Sequence, residues 1–175
     1  MGDNEIEILE GLKRSDKTVF DGIVLKYNDK LINLSYKITY DKEISMEIVQ
    51  DCLFEFFVSI KKFNAKSKIY TYLYRIVLNK SIDFVRRQKV KERVYKKLII
   101  EETNNNFQEI DIVVNEALKQ LHDKYRLPLL LVEYDKMKYE DVSEILKIPL
   151  NTVRTRVFYA REKLLSIFKK MGVDI

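Results

Sequence analysis

The chain has 175 residues, a formal net charge of +5, one cysteine, one histidine, four glycines and two prolines. Its 46% hydrophobic and 34% charged content describe a core-forming chain rich in helix formers, which excludes a loop-rich or disordered protein. Cys52 alone makes no internal disulfide, His122 alone builds no Cys/His zinc cluster, and no apolar run approaches the ~20 residues that cross a bilayer. With the acidic start MGDNEIEILE, unlike the basic lead of a signal peptide, these features predict a cytoplasmic protein without metal or cofactor.

The charge is unevenly placed. Residues 60–100 hold 13 basic and 2 acidic side chains, whereas residues 1–59 hold 7 basic and 12 acidic. Residues 101–114 are purely acidic, and residues 115–175 carry 12 basic and 9 acidic. A run as basic as Lys61 to Lys97 fits either a solvated helix face or a stripe that contacts phosphates, and the scarcity of acids favours the stripe.

In chain order, Phe20, Ile23, Val24, Tyr27, Leu31, Leu34 and Ile38 fall on one face of a helix. Val49, Cys52, Leu53, Phe56, Phe57 and Ile60 repeat that spacing behind Asp41, a plausible N-cap, so Cys52 is expected to be an inert core thiol. A polar stretch, Lys61 to Lys68, leads to a third helix with Ser67 as its expected cap and an apolar stripe of Ile69, Tyr72, Leu73 and Ile76. Beside the stripe lie Arg75, Asn79, Lys80, Asp83, Arg86 and Arg87. Cations interleaved with aromatic rings suit single-stranded nucleic acid, where the cations hold the backbone and exposed rings take unstacked bases. Tyr72 lies on the stripe and reads as core, while Tyr70 and Tyr74 are open to either role.

From Lys97 to Ile112 the periodicity fails around Asn104, Asn105 and Asn106. The expected architecture is therefore all-α, with two small helical domains (1–95 and 112–175) joined by a flexible linker (96–111). In the second domain Ala117, Leu118 and Leu121 close one helix. Leu129, Leu130 and Leu131 sit in the next, where Asp123 is the expected cap and Pro128 is expected to delete one hydrogen bond and bend the helix.

The segment YEDVSEILKIPLNTVRTRVFYAREKL, Tyr139 to Leu164, is the pattern of a helix-turn-helix. A short helix buries Val142, Ile145 and Leu146. The turn Lys147 to Leu150 follows, then a longer helix with Asn151 as expected cap and Val153, Val157, Ala160 and Leu164 inward. Asn151, Thr155, Phe158, Tyr159 and Glu162 face away, with Arg154 and Arg156 on the flanks. Such a helix reads bases with its N-terminal residues, so Arg154 and Thr155 suit base edges, and Thr152 and Arg156 suit phosphates.

Three blocks, EIVQDCLFEFF (47–57), YLYRIVLNKSIDFVRR (72–87) and Leu121 to Leu164, in this order and across a short linker, resemble the extracytoplasmic-function sigma factors of bacterial RNA polymerase. The resemblance implies a transcription initiation factor, not an enzyme, that directs core polymerase to promoters. It implies that Glu47, Gln50 and Phe54 dock on the clamp helices of the largest polymerase subunit. It gives Lys61, Lys62, Asn64, Lys66 and Lys68, with Arg75, Asn79, Lys80, Asp83, Arg86 and Arg87, to melting and reading the minus-10 element. Asn151, Thr152, Arg154, Thr155, Arg156, Phe158 and Tyr159 go to the minus-35 element. The resemblance further implies an anti-sigma protein, often membrane-bound, as a partner. Lys138 stands where the family commonly caps with Ser or Thr, Lys136 where it has a turn glycine, and Tyr159 at an often basic position. A self-sufficient helix-turn-helix repressor or activator is the alternative reading, and no Walker loop, Rossmann glycine pattern or paired catalytic carboxylates point to an enzyme.

Overall fold

The computed structural model describes residues 3–60, 67–95 and 109–173. Its described elements are helical, and the chain divides into two compact units, Met1–Lys97 and Leu98–Ile175.

In the first unit, α1 (Asp3–Lys13) precedes α2 (Lys17–Thr39), α3 (Lys42–Ser59) and α4 (Ile69–Tyr95). The sequence reading missed α1, although Leu9 and Leu12, three apart, are both buried. Gly11 sets how closely α1 meets α2, since a Cβ there would come within 2.8 Å of a Val19 methyl. The three longer helices bury most of the expected stripes: Ile23, Leu31, Leu34 and Ile38 of α2, Val49, Cys52, Leu53 and Phe56 of α3 with Ile60 just beyond it, and Ile69 and Leu73 of α4, where Val77 and Leu78 are buried as well. Tyr72 and Ile76 are half-buried, and Phe57, expected inward, is 37% exposed because it lies at the edge of the packing, against Phe20.

Small polar residues let the helices approach. The Ser35 and Ser81 hydroxyls share a buried hydrogen bond of 2.9 Å between α2 and α4. Helices α2 and α3 each start on an aspartate: Asp16 Oδ1 accepts from the Thr18 N–H at 2.9 Å, and Asp41 Oδ1 accepts from the Ile44 N–H at 3.0 Å, as expected for Asp41. Helix α4 begins at Ile69, where the Tyr72 N–H donates to the Lys68 carbonyl, so the boundary lies one residue beyond the expected cap, Ser67.

The second unit comprises α5 (Glu109–Lys119), α6 (Asp123–Leu129), a π-helical segment (Leu130–Tyr134), α7 (Tyr139–Leu146) and α8 (Leu150–Lys170). Glu109 to Asp111, assigned to the linker from sequence, already belong to α5; residues 96–108 lie outside the described set. The cap of α6 is His122 and not Asp123, its Nδ1 accepting from the Lys124 N–H at 3.2 Å. Pro128 sits inside α6 and has no N–H to give. The helix widens directly after it, and the Asp135 N–H reaches five residues back to the Leu130 carbonyl at 3.2 Å. The core is Ala117, Leu118, Leu121 and Leu129 to Leu131, closed by Val142, Ile145, Val153, Val157, Ala160 and Phe168.

Candidate nucleic-acid interface

The α7–α8 turn is held by backbone geometry. Lys147 takes a left-handed conformation (φ 53°), its N–H donates to the Ser143 carbonyl, and the Ile148 N–H reaches the same carbonyl at 3.2 Å. The Ser143 hydroxyl then donates to the Ile148 carbonyl at 2.6 Å. Lys138 precedes α7 with no side-chain cap bond, consistent with a lysine where Ser or Thr would serve. Helix α8 starts at Leu150 behind Pro149, so Asn151 is not its cap; it sits in the first turn, exposed.

With Val153, Val157, Ala160 and Phe168 buried, Asn151, Arg154, Thr155, Phe158, Tyr159 and Glu162 are exposed, and Thr152 and Arg156 are half-buried on one flank. Phe158 and Tyr159 leave more than half of their surface in solvent (58% and 51%) and meet edge to face with ring centroids 5.6 Å apart. The Thr155 hydroxyl donates to the Asn151 carbonyl at 2.9 Å, which leaves its oxygen to accept.

Helix α8 is braced from behind by Arg161, whose Nε donates to Glu133 at 2.9 Å. The Glu133 hydrogen bond raises the guanidinium pKa above its ordinary value. The sequence reading did not single out this pair, because its two residues lie 28 positions apart and neither belongs to a periodic stripe.

On α4, Asn79, Asp83, Arg86 and Arg87 are exposed and Arg75 is half-buried. Arg75 lies over the Tyr72 ring (5.5 Å), which in turn packs on Phe56 (5.8 Å). Lys80 leans onto α3, where Nζ donates to Glu55 at 2.5 Å. Burial opposes the ammonium, and the Glu55 hydrogen bond and nearby negative charge nonetheless raise its pKa. Tyr74 is buried (2% exposed) and offers no ring for stacking. Tyr70 is half-buried and stacks on Tyr27, while Lys68 is exposed. Lys61, Lys62, Asn64 and Lys66 lie outside the described residues.

Helix α3 presents a third surface. Glu47, Gln50 and Phe54 are exposed together within one sector, and Val58, one turn beyond Phe54, extends it. Phe54 and Val58 are 69% and 65% exposed, so their apolar surface stands in solvent beside Glu47 and Gln50. The sequence reading omitted Val58, although its i+4 spacing from Phe54 was the available signal. Beneath this face, burial pushes the Cys52 thiol up to about 12, so it is a packing residue and not a nucleophile.

Two family models match: sigma-70 region 2 over residues 23–90, and sigma-70 region 4 over residues 112–164. The chain belongs to the extracytoplasmic-function sigma factors. The RNA polymerase sigma-H factor of Pseudomonas aeruginosa is 28% identical, with 90% of each chain covered. The sigma factor SigW of Bacillus subtilis is 27% identical over 89% of this chain and 92% of the relative. Among solved structures, the sigma factor RpoE from Bartonella quintana, in complex with the anti-sigma factor NepR, superposes with a TM-score of 0.73 at 21% identity. That match covers 86% of this sigma factor and 96% of the other chain. CnrH, in complex with the cytosolic domain of CnrY, gives 0.75 at 17% identity over 96% and 99%. The region 2 match spans α3 and the α4 face, and the region 4 match contains the helix-turn-helix. Among the described residues, no helix is long and apolar enough to cross a membrane and no cluster of three candidate ligands could hold a metal ion.

Proposed function

We propose that this sigma factor divides its work among three helix faces. The exposed Glu47, Gln50, Phe54 and Val58 of α3 dock on the coiled-coil clamp helices of the largest subunit of core RNA polymerase. The α4 face of Arg75, Asn79, Asp83, Arg86 and Arg87 meets the minus-10 strand, and Lys61, Lys62, Asn64, Lys66 and Lys68 serve the same element. Asn151, Arg154, Thr155, Phe158 and Tyr159 of α8 enter the major groove at the minus-35 element, and Thr152 and Arg156 lie toward its phosphates. Lys80 is an indirect member of the α4 set, because its ammonium is held by Glu55.

The observation that carries this reading is the coexistence, in one chain, of a helix-turn-helix with an exposed recognition face and a second unit whose basic face is separate from an acidic, apolar one. The protein acts by binding and not by chemical transformation, and its work lies in the cytoplasm with the chromosome. An anti-sigma protein would act by covering these faces, and the solved RpoE named above is in complex with the anti-sigma factor NepR.

The test is a titration of core polymerase with labelled protein. Glu47→Lys and Phe54→Ala are expected to weaken binding with unchanged far-ultraviolet circular dichroism, because both side chains point away from the core. Wild-type affinity in both variants would remove the docking assignment.

A further inference from the structure

The first unit holds a cavity whose lining none of these roles uses, although Lys68 beside it belongs to the minus-10 set. It lies among α1, α2 and the first turn of α4 and has a volume of about 510 Å³, within the ordinary range for small-molecule pockets. Its walls are aliphatic: Ile8 from α1, Val19 and Ile23 from α2, and Ile69 from α4. One side is aromatic and cationic. The Tyr27 and Tyr70 rings stack with centroids 6.5 Å apart at 22°, and both line the cavity. Lys26, also in the lining, sits 5.3 Å from the Tyr27 centroid. Lys68 sits 5.4 Å from the Tyr70 centroid, with its ammonium donating to the Tyr70 hydroxyl at 3.3 Å. Among the described residues the lining contains no acid.

A second observation concerns Gly22. It lies inside α2, the longest helix but one, and glycine is the poorest ordinary helix former. No close packing requires it, because a Cβ built there meets nothing within 4 Å, and its φ lies outside the left-handed range that favours glycine. Its missing side chain keeps the cavity open. Tyr70 is five residues from Arg75, about 140° around α4, so the cavity opens away from the face assigned to promoter DNA.

We propose that this cavity binds a small amphiphilic anion, with its hydrocarbon body against the aliphatic wall and one carboxylate or phosphate between Lys26 and Lys68. Apolar walls with a few convergent polar groups are the usual composition of such sites, and the two ammonium groups give the anion its charge-assisted hydrogen bonds. An occupant would pack on Ile69 and Tyr70 and so stiffen the turn that begins α4.

The probe is decanoate, kept below its micellar range and titrated calorimetrically into the full chain, with 1-decanol as the uncharged control. Saturable one-to-one binding is expected. Gly22→Leu fills the space from an open position and is expected to abolish binding while the thermal midpoint stays equal or rises. Lys26→Gln is expected to weaken binding about tenfold, the loss of one charge-assisted hydrogen bond, and decanol, which carries no charge for either ammonium, is expected to bind about a hundredfold more weakly than decanoate. Absence of saturable binding overturns the proposal, as does unchanged decanoate affinity in Gly22→Leu. Equal affinity for decanol would make the cavity a packing defect with no selectivity for anions. Competitive displacement of decanoate from the wild-type chain by a single-stranded oligonucleotide would overturn the proposal and give the cavity to a base instead. Polymerase binding by Gly22→Leu is expected to be normal, which separates this result from the docking assignment.

Discussion

The two units are stabilised differently. The first uses helices of 18, 23 and 27 residues, aspartate caps on two of them, and a buried hydroxyl pair that lets α2 and α4 approach. The second uses helices of 7 and 8 residues ahead of its recognition helix, neither α7 nor α8 has a side-chain cap, and lysines occupy two left-handed positions, Lys136 and Lys147. Isolated helices that short do not persist in water, so the second unit depends on its packed leucines, and the largely exposed Glu133–Arg161 pair adds little to that. Large apolar side chains in both units stand in solvent, outside these stabilising contacts: Phe54 and Val58 in the first, Phe158 and Tyr159 in the second.

The largest expected effect tests the dependence on packing. Leu131 is fully buried, and Leu131→Ala should cost about 2–5 kcal/mol of second-unit stability in denaturant unfolding. Leu25→Ala in the first unit, 85% exposed, should stay within about 0.5 kcal/mol. Equal losses would mean that burial does not distinguish these sites. Next in size is readout by α8. Arg154→Ala should cost about 1–3 kcal/mol and relax selection at one or two minus-35 positions, while half-buried Arg156→Ala should weaken all sequences evenly and lower the salt slope by roughly one unit. Exchanged outcomes would assign the base contact to Arg156.

Capping effects are smaller and of opposite sign in the two units. Asp41→Ala should destabilise the first unit by about 0.5–2 kcal/mol. Lys147→Gly should stabilise the second by roughly 0.5–1 kcal/mol, because a glycine takes φ 53° without the Cβ penalty. The smallest signal is alkaline. The Cys52 thiol is held up at about 12 against an ordinary value of 9.0, so its contribution is complete below pH 9.0, where both states carry the proton. As pH rises from there the unfolded chain loses the proton first, and the contribution is gone by about 12. Cys52→Ala should flatten this alkaline decline. Rapid thiol labelling of the native protein at about pH 8 would contradict the burial.

Most of the helix set was legible because it rests on apolar periodicity: Leu31, Val49, Leu73 and Val157 are buried at the centre of their stripes, while edge members such as Phe57 and Leu164 are not. The misses have local causes. Helix α1 is short and begins with polar residues, so Leu9 and Leu12 made too brief a pattern. His122 was read as an isolated histidine, yet an imidazole nitrogen can cap a helix as a carboxylate does. Pro149 starts α8 before Asn151 because its fixed φ suits a helix boundary. For the site, exposure followed helical phase, which is why Asn151, Thr155, Phe158, Tyr159 and Glu162 stand in solvent as expected. Tyr74 and Lys80 could not be read this way, since burial by a neighbouring helix and a partner 25 residues away are properties of the fold.

The central claim is that neither unit selects a promoter unaided. One helix-turn-helix offers a single half-site, specific complexes usually bury about 1,000–2,500 Å² of protein surface, and the α4 face requires a strand whose exposure costs a few kcal/mol. The direct measurement is a titration of the protein onto promoter and scrambled duplex at about 0.15 M salt, with and without core RNA polymerase. Weak, unselective binding alone and clear promoter selectivity with core enzyme are the predicted results. Nanomolar, sequence-selective binding by the protein alone would contradict the account.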